Sequence, residues 1–126
     1  MNRLLGALPA CFEKGFRKED AFLADHQVLG RVVVPAAYLL EMVAAAVQEL
    51  LPPEANAEQG AAPFTAFTLS SIRIERPLLV TEPRVAELVV EATAEGAIGV
   101  EISSAKEAEA DQPSAWQRHL RGTLSL

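Results

Sequence analysis

One cysteine, Cys11, stands in 126 residues, so no disulfide can form within the chain and the composition fits a reducing compartment. Nothing around Cys11 marks it as a nucleophile, and a small, partly buried residue is expected there. Basic residues are in the minority, eleven Lys and Arg against seventeen Asp and Glu for a net charge of −6. That balance argues against a nucleic-acid or anionic-membrane surface. No apolar run is long and unbroken enough to cross a bilayer, which takes about 20 residues. Arg3 and the LLGALPAC that follows it have the look of a lipoprotein export signal. The run is interrupted by Pro9 and followed at once by Glu13 and Lys14, so the cytoplasm is expected rather than export. There is no internal repeat, phosphate-cradling glycine loop, dinucleotide fingerprint or nucleophile elbow. Cys11, His26 and His119 do not have the spacing of metal ligands, and no metal site is expected.

What remains is an ordinary globular composition, 50% hydrophobic and 22% charged, in a chain sized for one domain with a real core. Its most informative stretch is His26 to Leu51, HQVLGRVVVPAAYLLEMVAAAVQELL. Pro35 suits the first helical position, where its fixed φ fits and its missing N–H is no loss. Pro52 and Pro53 stop the helix, which is predicted over about 35–51. Only Glu41, Gln48 and Glu49 in it are strongly polar, and they share one narrow stripe. A helix apolar around the rest of its circumference must be wrapped by other structure, so a central, buried helix is expected.

Elsewhere the pattern is that of strands. Before the helix, a short strand is predicted near residues 11–17 with a turn at 18–20, and after it a loop over 52–63. In 65–75 the apolar positions Phe67 and Leu69 are odd but Ile72 and Ile74 are even, a phase change at Ser70-Ser71 that predicts a bulge or break. Pro77 restricts pairing, so 78–80 reads as an edge-like segment. Ala86, Leu88, Val90, Ala92 and Ala94 line one face of the next strand, opposite Glu87 and Glu91. Gly96 and Gly99 mark a turn, and Ile98, Val100 and Ile102 face inward on the strand after it. Residues 106–113 form a polar, acidic loop. In the last strand, from Trp116 to the chain end, period two places His119 on the polar face with Gln117 and Arg121, in a structural or hydrogen-bonding role. The periodicity establishes an α+β chain with a buried helix.

His26, Gly30 and Pro35 form the pattern H-x-x-x-G-x-x-x-x-P, with Asp25 before it and the apolar helix after it. This resembles the active-site motif of polyketide synthase dehydratase domains. The likeness extends along nearly the whole chain: LLG at 4–6, FLADH at 22–26, RPLLV at 76–80 and WQRHLRG at 116–122 fall in the family's order. One departure is Ala36, where the family usually has Gly after the proline. The resemblance implies a hotdog fold, a curled antiparallel sheet around the central helix, with residues 1–126 a single hotdog domain similar to the N-terminal half of a double-hotdog dehydratase.

The resemblance also implies the chemistry, loss of water from a β-hydroxyacyl thioester held on the phosphopantetheine of an acyl carrier protein, with no further cofactor. A base removes the α-proton and an acid protonates the departing hydroxyl. His26, otherwise an ordinary loop histidine, is the implied base, and a backbone N–H in the Gly30 region beside the helix N-terminus polarises the thioester carbonyl. Gly30, Arg31, Pro35 and Tyr38 are the implied substrate contacts. The family's acid is an Asp from the second half, in D-x-x-x-Q or D-x-x-x-H. None of Asp20, Asp25 and Asp111 stands in that pattern.

Two alternatives stay open. Glu41, six residues after Pro35, has the offset of the catalytic Glu in homodimeric single-hotdog dehydratases of fatty acid synthesis, so a homodimer could be self-sufficient; a structural place in the polar stripe is preferred for it. A non-catalytic hotdog module for dimerisation or carrier-protein docking is the other alternative, and a product-template domain a remote one. Arg73, Arg76, Arg118 and Arg121 are candidates for a basic patch facing the carrier protein. The partners expected are thus a carrier protein and either a second hotdog half or a second copy.

Overall fold

A computed structural model describes residues 2–24, 26–51 and 66–126. Asp25 and the loop expected over 52–63 lie outside the described residues. The order is α1 (Asn2–Gly6), β1 (Ala10–Phe16), α2 (Ala21–Ala24), β2 (Gln27–Val28), β3 (Arg31–Val34), α3 (Ala36–Leu50), β4 (Thr68–Ile74), β5 (Leu78–Leu79), β6 (Arg84–Ala92), β7 (Ile98–Lys106) and β8 (Gln117–Ser125). A five-stranded antiparallel sheet runs β1-β6-β7-β8-β4, and a separate small sheet runs β2-β3-β5. This is an α+β hotdog arrangement, a sheet laid against one long helix. No helix among the described residues is long and apolar enough to cross a membrane.

Alternation builds the core. Ala86, Leu88 and Val90 of β6 and Ile98, Val100 and Ile102 of β7 are all buried, against Leu39, Val43, Ala46 and Val47 of α3. Those four recur at the helical repeat. The helix differs from its prediction in two ways. Pro35 keeps an extended backbone, φ −60° and ψ 142°, and caps a helix that starts at Ala36; its carbonyl accepts from the N–H of Tyr38 and of Leu39. Only one face is covered by the described chain: Ala37, Leu40, Glu41, Ala45 and Glu49 are exposed. Alanine favours a helix whether buried or not, so an alanine-rich stripe counts as apolar in the sequence without requiring a cover.

The strand ends carry further differences. The expected phase change in β4 is a bulge: pairing with β8 shifts between Ser70 and Arg73, and Ser71 takes φ 53°. Opposite it, a Cβ on Gly122 would lie 3.2 Å from Leu69 Cδ1 and 3.4 Å from the Ser70 carbonyl, so the bent strand passes close over the glycine and a larger residue there would push the Leu69 side chain aside. The turn before β7 closes at 94–96, and Gly99 already pairs with Glu91 inside the strand. A second shift, between Ile102 and Ser103, leaves His119 opposite no residue of β7. That extra residue reverses the alternation, and His119 turns inward beside Leu120, 1% exposed, instead of joining Gln117 on the polar face. The short helices α1 and α2 have no counterpart in the sequence reading, although Leu4 and Leu23 are fully buried in the core.

Candidate active site

His26 is placed by a tight hairpin and an aromatic cluster. Val28 pairs with Arg31, and the two residues between them, Leu29 and Gly30, have φ 53° and 77°. A two-residue turn with both central φ values positive follows the twist of its strands and favours Gly or Asn. Glycine meets this freely at 30. Leu29, 97% exposed, has no buried contact to offset its left-handed backbone. Leu29→Asn is therefore expected to raise stability by about 1 kcal/mol, read as a higher urea midpoint.

The hairpin carries His26 to its open end. Val33 N–H donates to the His26 carbonyl at 3.1 Å, and His26 Nδ1 lies 3.0 Å from the Val33 carbonyl oxygen. A carbonyl only accepts, so the proton of the neutral ring sits on Nδ1 and Nε2 keeps its lone pair. On the other side, the His26 N–H donates to the carbonyl of buried Leu23 in α2. Phe22 of α2 stacks on Tyr38 of α3 with centroids 4.7 Å apart, and both rings meet Phe16 edge-on, at 6.2 and 5.8 Å. The cluster ties α2, β1 and the first turn of α3 together just ahead of the histidine.

The other sequence candidates separate. Gly30 and Arg31 stand at the exposed tip of the hairpin, one strand-length, about 13 Å for four residues, from the start of α3. The Gly30 turn and the helix N-terminus, expected side by side, therefore lie at opposite ends of β3, and His26 is at the helix end. Tyr38 and Glu41 line a groove of about 310 Å³ between β1 and α3, floored by Phe12, Met42, Ala46 and Leu88. His26 is not part of that lining. Two of the four arginines are engaged by carboxylates: Arg118 pairs with Glu75 and Glu101, and Arg121 with Glu75, each at 3.0 Å. The hydrogen bond from Arg118 draws the Glu75 carboxyl below the ordinary range. Cys11 is exposed; partial burial first and then the carboxylate of Glu87 push its thiol upward, away from the reactive thiolate. No group of three or more metal-ligating side chains occurs among the described residues.

A buried polar chain escaped the sequence reading. Arg84 Nε–H donates to Ser104 Oγ at 2.7 Å, Ser104 Oγ is 2.6 Å from His119 Nε2, and His119 Nδ1 is 3.1 Å from the Arg76 carbonyl. Period two hid it, since the bulge that turns His119 inward has no sequence mark. Burial depresses the His119 pKa, with the bond to the Arg76 carbonyl acting the other way. The unfolded chain, near 6.5, therefore binds this proton more readily than the folded one. The stability His119 contributes is whole above about pH 6.5 and is lost as pH falls below it, at a limiting slope of about 1.4 kcal/mol per pH unit. Urea midpoints are expected to drop between about pH 7.5 and pH 5, and less steeply in His119→Asn.

Comparison with known proteins bears on this site. A family model of the polyketide synthase dehydratase domain matches residues 3–105. Among solved structures, GphF dehydratase 1 is 27% identical, with a TM-score of 0.72 over 91% of this chain and 38% of its own. An inactive variant of the CurK dehydratase, with an aspartate changed to asparagine, is 27% identical, with a TM-score of 0.68 over 90% of this chain and 37% of its own. A trans-AT polyketide synthase dehydratase domain from Brevibacillus brevis, 24% identical, shares the fold with a TM-score of 0.68 over 94% of this chain and 41% of its own. The chain thus spans less than half the length of these solved chains. No curated protein sequence matches it.

Proposed function

The chain belongs to the polyketide synthase dehydratase family, and from that premise we propose that it supplies the histidine-bearing half of a site that converts a β-hydroxyacyl thioester to its α,β-unsaturated product. The observation that carries this reading is the His26 ring, whose Nδ1 is occupied by the Val33 carbonyl while Nε2 is left to accept a proton. Nε2 takes the α-proton, the C–H electrons form the new double bond, and the β-hydroxyl leaves as water with a proton from the acid. The elimination is redox-neutral and calls for proton transfer alone. The N–H groups of Ala36 and Ala37, first in α3 and at the His26 end of β3, polarise the thioester carbonyl as the negative end of the reacting dipole develops.

The acid comes from a second hotdog half. Asp20 uses Oδ2 to accept from the Arg17 N–H and so serves its own turn, and Asp111 is exposed in the loop before β8. The loss of activity in a CurK variant missing one aspartate fits an aspartic acid in that role. The substrate arrives on the phosphopantetheine arm of a carrier protein in the cytoplasm.

The test is mass spectrometry of a β-hydroxyacyl-pantetheine thioester incubated with this chain, with and without an Asp-bearing second half. The expected result is no turnover alone and turnover on addition of the partner. Product from the chain alone, lost in Glu41→Ala, would make it a self-sufficient homodimer. No product under either condition would leave a non-catalytic module as the better account.

A further inference from the structure

We propose that His119, a buried residue of β8, is a positioning residue for His26, acting through the Arg76 carbonyl, the backbone that leads from it into β5, and the pairing of β5 with β3, the strand that carries the Val33 carbonyl. The proposal rests on the reading of His26 as the base and assigns what holds that base in its working tautomer.

His26 is exposed, and one ring hydrogen bond, to the Val33 carbonyl, sets its orientation. Whatever fixes that carbonyl fixes the base. β3 belongs to the small sheet, whose other members have only two residues each and which does not pair with the five-stranded sheet. Its inner neighbour is β5: Val33 pairs with Leu79 and Val34 with Leu78, and the Val80 N–H donates to the Val32 carbonyl at 2.9 Å. So short a strand is held mainly at its ends. Leu78, which begins it, and Val80, which follows it, are buried. Just ahead of it, the segment from Glu75 to Pro77 is clamped on His119 twice, by the Glu75 N–H to the His119 carbonyl at 2.8 Å and by His119 Nδ1 to the Arg76 carbonyl at 3.1 Å.

The direction of the chain is forced from the carbonyl end. The Arg76 carbonyl only accepts, so the proton of the neutral His119 ring is on Nδ1. Nε2 then accepts from the Ser104 hydroxyl, whose oxygen in turn accepts from Arg84 Nε–H. Every member is satisfied, and no buried side-chain polar atom among the described residues lacks a partner. A fully satisfied buried network is rigid and specific in a way a partial one is not. The Ser104 and His119 pair is not itself a reactive centre, because Ser104 is wholly buried and its oxygen already accepts from Arg84.

The experiment reads the His26 ring directly, by nitrogen-proton correlation spectra of the imidazoles at about pH 8, above the ordinary histidine range. In the unmodified chain His26 is expected in the Nδ1–H form. In His119→Leu, which fills the space without a donor, the ratio of Nδ1–H to Nε2–H at His26 is expected to fall about fivefold, the worth of one ordinary hydrogen bond. His119→Asn, whose amide nitrogen takes the place of Nδ1, is expected to retain the original ratio. An unchanged ratio in a folded His119→Leu overturns the proposal, and so does an equal fall in both variants, which would assign the effect to packing. Should His119→Leu fail to fold, Ser104→Ala decides the matter: it removes the partner that holds the His119 tautomer, and an unchanged His26 ratio there overturns the proposal. No substrate enters the measurement, so absence of turnover in the elimination assay leaves this outcome readable.

Discussion

His26→Ala, assayed with the complementing second half, is expected to lower kcat by a factor of about 10² to 10⁴, the usual worth of a positioned general base. KM should change little, because the ring is exposed and the hairpin that carries it is held by backbone pairing. The fold should survive: the substitution removes one side-chain hydrogen bond, to Val33, worth about 1 kcal/mol. A thermal melt close to that of the unmodified chain, together with collapsed turnover, is the expected pair of results. Turnover preserved within about tenfold would remove His26 from the chemistry and the dehydratase reading of this chain with it.

The largest effect on stability is expected at Phe16. The ring is 1% exposed, ends β1, and meets both Phe22 and Tyr38 edge-on. Phe16→Ala leaves a cavity the size of an aromatic ring and is expected to cost about 3 to 5 kcal/mol, a large share of what a domain of this size has. A urea titration reads this as a lower midpoint with an unchanged slope. The loss also reaches the site, because the three rings hold α2 against α3 and the Leu23 carbonyl of α2 receives the His26 N–H. Phe16→Leu, which keeps most of the volume, should recover more than half of the loss. Equal midpoints for Phe16→Ala and the unmodified chain would show that the cluster does not organise this end of the molecule.

How far the sequence could be read followed the range over which its signals act. α3 was legible because Pro35 and a long Ala/Leu run specify a helix locally, and β6 and β7 because their buried residues recur at every second position, Ala86, Leu88 and Val90 in one and Ile98, Val100 and Ile102 in the other. The β4 bulge was legible for the same reason, since apolar residues sit on both sides of Ser70 and Ser71 and their phase can be compared. The bulge at His119 was not: the residue that changes phase is a histidine, which fits either face, so the pattern continued through it undisturbed. Helices of four and five residues, such as α2 and α1, are too short to show a period. At the site, the spacing of His26, Gly30 and Pro35 drew attention to the hairpin and the helix start. Its geometry depended on residues 29 and 30 turning the chain, and Leu-Gly is a far weaker hairpin signal than Asn-Gly. The pairing of Arg118 and Arg121 with Glu75 joins residues more than 40 apart in sequence, beyond the reach of any local pattern.

The two ends of the large sheet differ in a way that bears on polymerisation. β1 pairs with β6 through seven consecutive residues without a break, so its outer side, unpaired among the described residues, is a regular row of donors and acceptors. β4, at the other end, is kinked at Ser71, and a kinked, over-twisted border does not template a new strand. A molecule with two competent borders can add copies at both and grow into a filament. One with a single competent border joins one neighbour and is then capped on both outer sides. The left-handed serine in β4 thus makes that border a poor template for a further strand, whatever the other border does.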